Sequence, residues 1–196
     1  FLINLKKFNA DFLLDNQFNK PQAFHNKPTY RTGGILIYIL IIISFLFLFF
    51  DKNIFLMEYV SFCSLFFFLG LIDDLKINVR PKFRLLMMIV ILIFLIIYND
   101  FFIEKTGLEF LNYLLQIDIF SLFFVCLCIL FIINGSNLID GFNGLLSIHS
   151  LIIITVLFII NIQSGDIAHS YFLFFTILSL LIFLIFNFPR ASIFLG

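Results

Sequence analysis

The stretch GLIDDLKINVRPKFRLL sets two adjacent carboxylates, Asp73 and Asp74, at the end of an apolar run and follows them with Lys76, Arg80, Lys82 and Arg84. An acidic pair suits a hard cation such as Mg²⁺, which takes oxygen ligands and often binds through one or two carboxylates plus substrate phosphates. The basic residues beside it could hold those phosphates. A stop-transfer loop would account for the Lys and Arg residues but not for two aspartates at a membrane edge. A second stretch, FIINGSNLIDGFNGLL, places Asn134, Asn137, Asp140 and Asn143 at a strict interval of three. At about 100° per residue, steps of three fall back by about 60° each, so the four spread over half a helix circumference. A continuous helix would turn some of them to lipid. With Gly135, Gly141 and Gly144 among them, residues 134–144 read as a re-entrant turn or broken helix lining a protein cavity. The plainer reading makes Asp140 an N-cap and the asparagines the close of the preceding helix. One such residue at each end would suffice for that, and an ionisable group beside a span points to function because it is expensive to keep there. A third stretch, HNKPTYRTGG, residues 25–34, carries His25 and Arg31 into a glycine pair that lets backbone approach a neighbour or ligand closely.

These groups are set among membrane spans. The chain of 196 residues is 62% hydrophobic and 12% charged, against about 25% charged in soluble domains, which excludes an ordinary soluble domain. Apolar runs of about 17 to 25 residues cross a bilayer as helices, since every backbone polar group must be satisfied internally there. Six are expected, at about 35–50, 54–72, 81–98, 114–133, 145–160 and 170–188. Residues 108–118 read either as an interfacial helix or as the outer turn of the fourth span. Cytoplasmic loops carry the excess of Lys and Arg. With the N-terminal segment 1–34 inside, Lys6, Lys7, Lys20, Lys27, Arg31, Lys76, Arg80, Lys82, Arg84 and Arg190 fall on that side, and only Lys52 and Lys105 fall outside. The loop 73–84 and the stretch 134–144 then share the cytoplasmic face. No internal repeat divides the chain, so a single helical domain over 1–196 is expected. Cys63, Cys126 and Cys128 lie in apolar runs without metal-ligand spacing and read as small buried hydrophobes. His149 and His169 have no partner in local sequence; they read as a core or interface histidine and an outside-loop residue. Phe1 at the start and Gly196 straight after an apolar run read as the ends of an internal fragment.

Taken in order, HNKPTYRTGG, GLIDDLKINVRPKFRLL, NGSNLIDGFNGLLS and NFPRASIFLG resemble the polyprenyl-phosphate N-acetylhexosamine-1-phosphate transferases, the glycosyltransferase 4 family. The D-D-x-x-x-x-x-x-P-K-x-R-L-L form is closer to the WecA-type branch than to the MraY-type, peptidoglycan branch. The resemblance implies an all-α polytopic integral membrane protein, with about six helices here out of a bundle of about ten. It also implies a reaction. A polyprenyl phosphate, undecaprenyl phosphate in bacteria, attacks the β-phosphate of a UDP-amino sugar, giving a polyprenyl-diphosphate sugar and UMP. GlcNAc-1-phosphate or a related amino sugar phosphate would be the group transferred, to initiate lipid-linked envelope glycans.

The cofactor implied is Mg²⁺, with Mn²⁺ as the alternative, acting as Lewis acid on the diphosphate. By the same resemblance Asp73, Asp74 and Asp140 are catalytic, Asn137 and Asp74 serve the metal, and Lys82, Arg84, Asn134, Asn143, Arg31 and His25 bind substrate. The partners expected are the membrane, the polyprenyl phosphate and the UDP-amino sugar, with no nucleic acid and a homodimer left open. The location implied is the inner, plasma membrane, with the site facing the cytoplasm. Three positions depart from the family pattern. Asn143 stands where the family usually has an aspartate, Met88 where glutamine is common, and Tyr30 where proline often precedes the arginine. The family continues past IFLG with D-x-G-S and adds a first span and a His-rich loop, so the resemblance implies that this stretch alone is inactive. Two other classes compete: a transporter with discontinuous helices, and a noncatalytic membrane scaffold.

Overall fold

Long runs of Leu, Ile and Phe leave the backbone no water to bond with, and a helix meets that need within one segment. The computed structural model describes residues 13–15, 29–48, 54–75 and 80–195, and the described residues are mainly helical. The helices are α1 (Gly33–Leu48), α2 (Ile54–Asp74), α3 (Pro81–Tyr98), α4 (Glu109–Leu115), α5 (Asp118–Ile139), α6 (Leu145–Ser164) and α7 (Ile167–Asn187). Four of them, α3, α5, α6 and α7, are long and apolar enough to cross a membrane, and α1 and α2 contain shorter apolar helices over Gly33–Leu46 and Met57–Ile72. Large apolar side chains point outward along them, among them Ile119 at 81% exposure, Phe131 at 73% and Ile185 at 74%. On a water-soluble protein so much exposed apolar surface would drive association; in a bilayer it is the lipid-facing side. The chain is an all-α membrane protein, and each of the six expected spans is largely helical among the described residues.

The boundaries differ at informative places. Residues 108–118 are not an outer turn of the long helix: α4 is a separate seven-residue helix, and α5 begins only at Asp118. Its loop is braced by Asn112, whose Oδ1 accepts from Thr106 N at 2.6 Å and from Thr106 Oγ1 at 2.8 Å. At the other end, α5 does not break at Asn134 but runs through Asn137 to Ile139. Asn134 Nδ2 donates to Leu130 O at 2.8 Å and Ser136 Oγ to Ile132 O at 2.7 Å, so these polar groups are satisfied by their own helix. The expected break over 134–144 therefore narrows to the turn at residues 140–144. Similar back-bonds from Ser44, Ser64, Ser170 and Thr176 keep hydroxyls paired inside other helices.

The chain divides into two compact units, one of residues 1–77 and 139–196 and one of residues 78–138. In the first, α7 packs along both α6 and α1. Buried Val60 and Phe172 gather Ile41, Ile42 and Phe45 about them, and Tyr38 stacks on Phe67 with ring centroids 3.9 Å apart. Tyr38 also donates its hydroxyl to Ser64 at 2.9 Å, which ties α1 to α2. The same unit holds a feature that no hydropathy pattern announces, a small sheet of β1 (Leu14–Asp15), β2 (Thr29–Arg31) and β3 (Ile193–Phe194). Its order is β1-β2-β3, with β1 antiparallel to β2 and β2 parallel to β3, Tyr30 opposite Ile193 and Arg31 opposite Phe194. Gly33 follows at once, and a Cβ there would lie 2.7 Å from both Phe183 Cδ2 and Phe194 O. The second unit consists of α3, α4 and α5 up to Leu138. Pro81 opens α3 at its first turn, where a missing N–H is harmless.

Two substitutions separate these accounts of the glycines. Gly33→Ala forces an overpacked contact and should destabilise by about 1–3 kcal/mol. Gly135→Ala meets nothing within 4 Å and should be neutral or stabilising, by up to about 1 kcal/mol, if α5 is continuous there. Thermal unfolding of the detergent-solubilised protein, followed by circular dichroism, measures both.

Candidate functional site

Asp74 is the last residue of α2. A carboxylate at a helix C-terminus faces the negative end of the helix dipole, which is unfavourable unless a cation offsets it. Arg31, at the end of β2, supplies the cation: its Nη1 donates to Asp74 Oδ1 at 3.2 Å. The two side chains keep only 26% and 16% of their surface exposed, so this pair is screened less than a surface ion pair. Two blocks that are far apart in sequence, TYRTGG and GLIDD, thereby meet at one charged contact. Asp73 precedes Asp74 on the final turn of α2. His25 lies outside the described residues.

The second component is the turn after α5. Asp140 is half-buried in it, Asn143 is exposed, and Gly144 closes it as the N-cap of α6 in the left-handed region, φ 75°. That backbone suits glycine, and a Cβ would in addition sit 3.0 Å from Phe188 Cδ2. Two bonds hold the turn to the end of α7 and the segment after it. Asn143 Nδ2 donates to Pro189 O at 3.3 Å, and the Gly144 N–H donates to Asn187 Oδ1. The first bond gives the departure at position 143 a physical reason. An ionised aspartate there would set a second acceptor against the Pro189 carbonyl, whereas the asparagine donates to it.

The segment NFPRASIFL then turns back to the first block. Asn187 Nδ2 donates to Ile193 O at 2.9 Å, Ser192 N to Phe186 O at 2.8 Å, and Gly34 N to Leu195 O at 2.6 Å. With the β2–β3 pairing, the first and fourth blocks are joined by backbone, and the third is fastened to the fourth. Asn187 was not among the residues singled out by sequence. Its signal was an amide at the very end of an apolar helix, beside Phe-Pro.

The remaining candidates belong to the second unit. Lys82 is exposed and Arg84 half-buried on the first turn of α3, while Asn134 is half-buried and Asn137 exposed on the last turns of α5. The two residues expected to serve the metal, Asp74 and Asn137, are thus on different units. The carboxylates of Asp74 and Asp140 are hard oxygen donors of the kind Mg²⁺ takes. Among the described residues no three His, Cys, Asp or Glu side chains gather to hold an ion.

Comparison with known proteins bears on the same blocks. The family model for glycosyl transferase family 4 matches residues 56–196. The phospho-N-acetylmuramoyl-pentapeptide-transferase of Listeria monocytogenes serovar 1/2a is 28% identical over 189 residues, covering 90% of this chain and 58% of its own. Its counterpart from Dictyoglomus thermophilum is 29% identical over 182 residues, 88% of this chain and 55% of its own. That of Listeria innocua serovar 6a is 29% identical over 189 residues, 90% and 58% respectively. The chain spans a little over half the length of the curated relatives it matches. These relatives fall on the branch to which the D-D…R-L-L pattern leaned less.

The charged contact can be tested without any substrate. In a double-mutant cycle of Arg31→Met and Asp74→Asn, followed by thermal unfolding, the pair should show a coupling of about 1 kcal/mol. A coupling indistinguishable from zero would mean that the contact adds nothing to stability.

Proposed function

Because the chain belongs to glycosyl transferase family 4, we propose that the full-length protein transfers a sugar-1-phosphate from a UDP-sugar to polyprenyl phosphate and releases UMP. The observation that carries this reading is the joining, within one unit, of the Arg31–Asp74 pair and the Asp140–Asn143 turn through the strand that follows α7. A phosphate oxygen of the lipid would form a bond to the β-phosphorus, and the bond from that phosphorus to the bridging oxygen of UMP would break. Transfer of this kind depends mainly on positioning and on charge neutralisation. Arg31, Lys82, Arg84 and His25 would neutralise phosphate oxygens; Asn134 and Asn143 would hold the nucleotide or sugar. Asp73, Asp74 and Asp140 are the proposed catalytic carboxylates. Asp74 and Asn137 are the residues proposed to serve magnesium, which would supply Lewis-acid polarisation of the phosphoryl group.

For the sugar, the relatives name a phospho-N-acetylmuramoyl-pentapeptide, while the D-D…R-L-L pattern leans to GlcNAc-1-phosphate. The concentration of ten of the twelve Lys and Arg residues on one side supports a multi-pass arrangement in the plasma membrane with the site at the cytoplasmic face. A transporter would need discontinuous helices near the midplane. The unbroken course of α5 to Ile139 instead favours a site at one end of the bundle.

Membranes containing the full-length protein should move radiolabelled sugar phosphate from a UDP-sugar into a lipid extract, with UDP-GlcNAc and UDP-N-acetylmuramoyl-pentapeptide offered in parallel to identify the donor. Asp73→Asn, Asp74→Asn and Asp140→Asn should each lower the rate about a hundredfold or more, and EDTA should abolish it until Mg²⁺ is returned. Unchanged rates in all three variants would overturn the assignment of the carboxylates.

A further inference from the structure

Asn187 ends α7 with only 4% of its surface exposed. A primary amide so buried is tolerated when its oxygen and nitrogen both find partners, and its two partners here belong to a turn and a strand. On one side is the N–H of Gly144, the residue that closes the turn carrying Asp140 and Asn143. On the other is the carbonyl of Ile193, the first residue of β3, at 2.9 Å. That strand pairs with β2, where Arg31 lies opposite Phe194, and Arg31 holds Asp74. The planar amide has no freedom to lengthen, so it fixes the spacing between a turn and a strand that share no other side-chain amide bridge among those described. Asn143, whose bond to Pro189 O is exposed, supports the same alignment more weakly.

We infer that Asn187 is a positioning residue for the transfer reaction: it sets the Asp140–Asn143 turn against the Arg31–Asp74 pair and acts through them. This rests on the transferase reading above. Two variants divide its two bonds. Asn187→Leu keeps the approximate size and removes both. Asn187→Asp keeps an acceptor for the Gly144 N–H, but it donates to Ile193 O only while the acid holds its proton.

The test uses the full-length protein in lipid nanodiscs, with amide hydrogen exchange and steady-state kinetics measured on the same preparations. In Asn187→Leu, exchange at Gly144 and at Gly34, whose N–H is given to Leu195 O, should each rise tenfold or more, with the interiors of α1 and α6 unchanged. In Asn187→Asp, Gly144 should stay protected. Exchange at Gly34 relative to wild type at the same pH should climb as pH rises and the acid loses its proton, a profile absent from the leucine variant. The kcat per folded molecule should fall at least tenfold in Asn187→Leu and follow the same pH profile in Asn187→Asp. A merely structural amide would loosen both sides together in both variants and lower only the amount of folded protein. Wild-type exchange at Gly34 in Asn187→Asp at high pH, or an unchanged kcat per folded molecule in Asn187→Leu, would overturn the inference. If the wild-type protein transferred nothing, the transferase reading would fail, while the exchange pattern would still decide whether the amide couples turn to strand.

Discussion

A polar group in a hydrocarbon medium can pair only with the protein itself, and most of this structure follows from that constraint. It selects helices for the long apolar runs and returns serine, threonine and asparagine side chains to carbonyls one turn back. It also concentrates the unusual backbone at a few places where partners exist. The turn at 140–144 is one such place, because the end of α7 and the segment after it supply an amide oxygen and a carbonyl to meet it. The small sheet is another, because two short extended pieces satisfy each other where neither could stand alone.

Charge obeys the same rule with a further restriction. Asp74 stands where a helix dipole and low surrounding polarity both disfavour a carboxylate, and Arg31 reaches it from a strand rather than from a neighbouring helix. A guanidinium anchored by β2 is held in place from the backbone side, which limits the side-chain entropy lost in making the pair. The charge arrangement and the strand are therefore parts of one device: the strand fixes where the cation is, and the cation makes the acidic helix end tolerable.

Sequence revealed the spans readily because their signal is additive over many residues, and α3 starts and ends where the hydropathy does. It was less exact where one polar side chain decides the outcome. Asn134 belongs to the stretch read as a re-entrant turn or broken helix, yet it and Ser136 bond to their own helix, so α5 continues past them. Gln116 and Ile117 separate α4 from α5 without a proline or glycine to announce it. Strands of two or three residues have no period to detect, so β1 to β3 were invisible. For the candidate site, residue type and order singled out Arg31, Asp74, Asp140 and Asn143 as candidates, but not how they are held. The role of Asn187 depends on two backbone groups brought to it by tertiary structure, and no local pattern encodes them.

The pairing of Tyr30 with Ile193 spans roughly 160 residues of chain, a long-range contact of the kind that forms late. A ribosome delivers β2 before α1 and β3 after α7, so every described helix emerges before the strand that holds Arg31 acquires its parallel neighbour. A nascent chain thus carries its cation and its carboxylates through membrane insertion without the clasp between them. Only the arrival of Ile193 and Phe194 gives β2 its parallel neighbour.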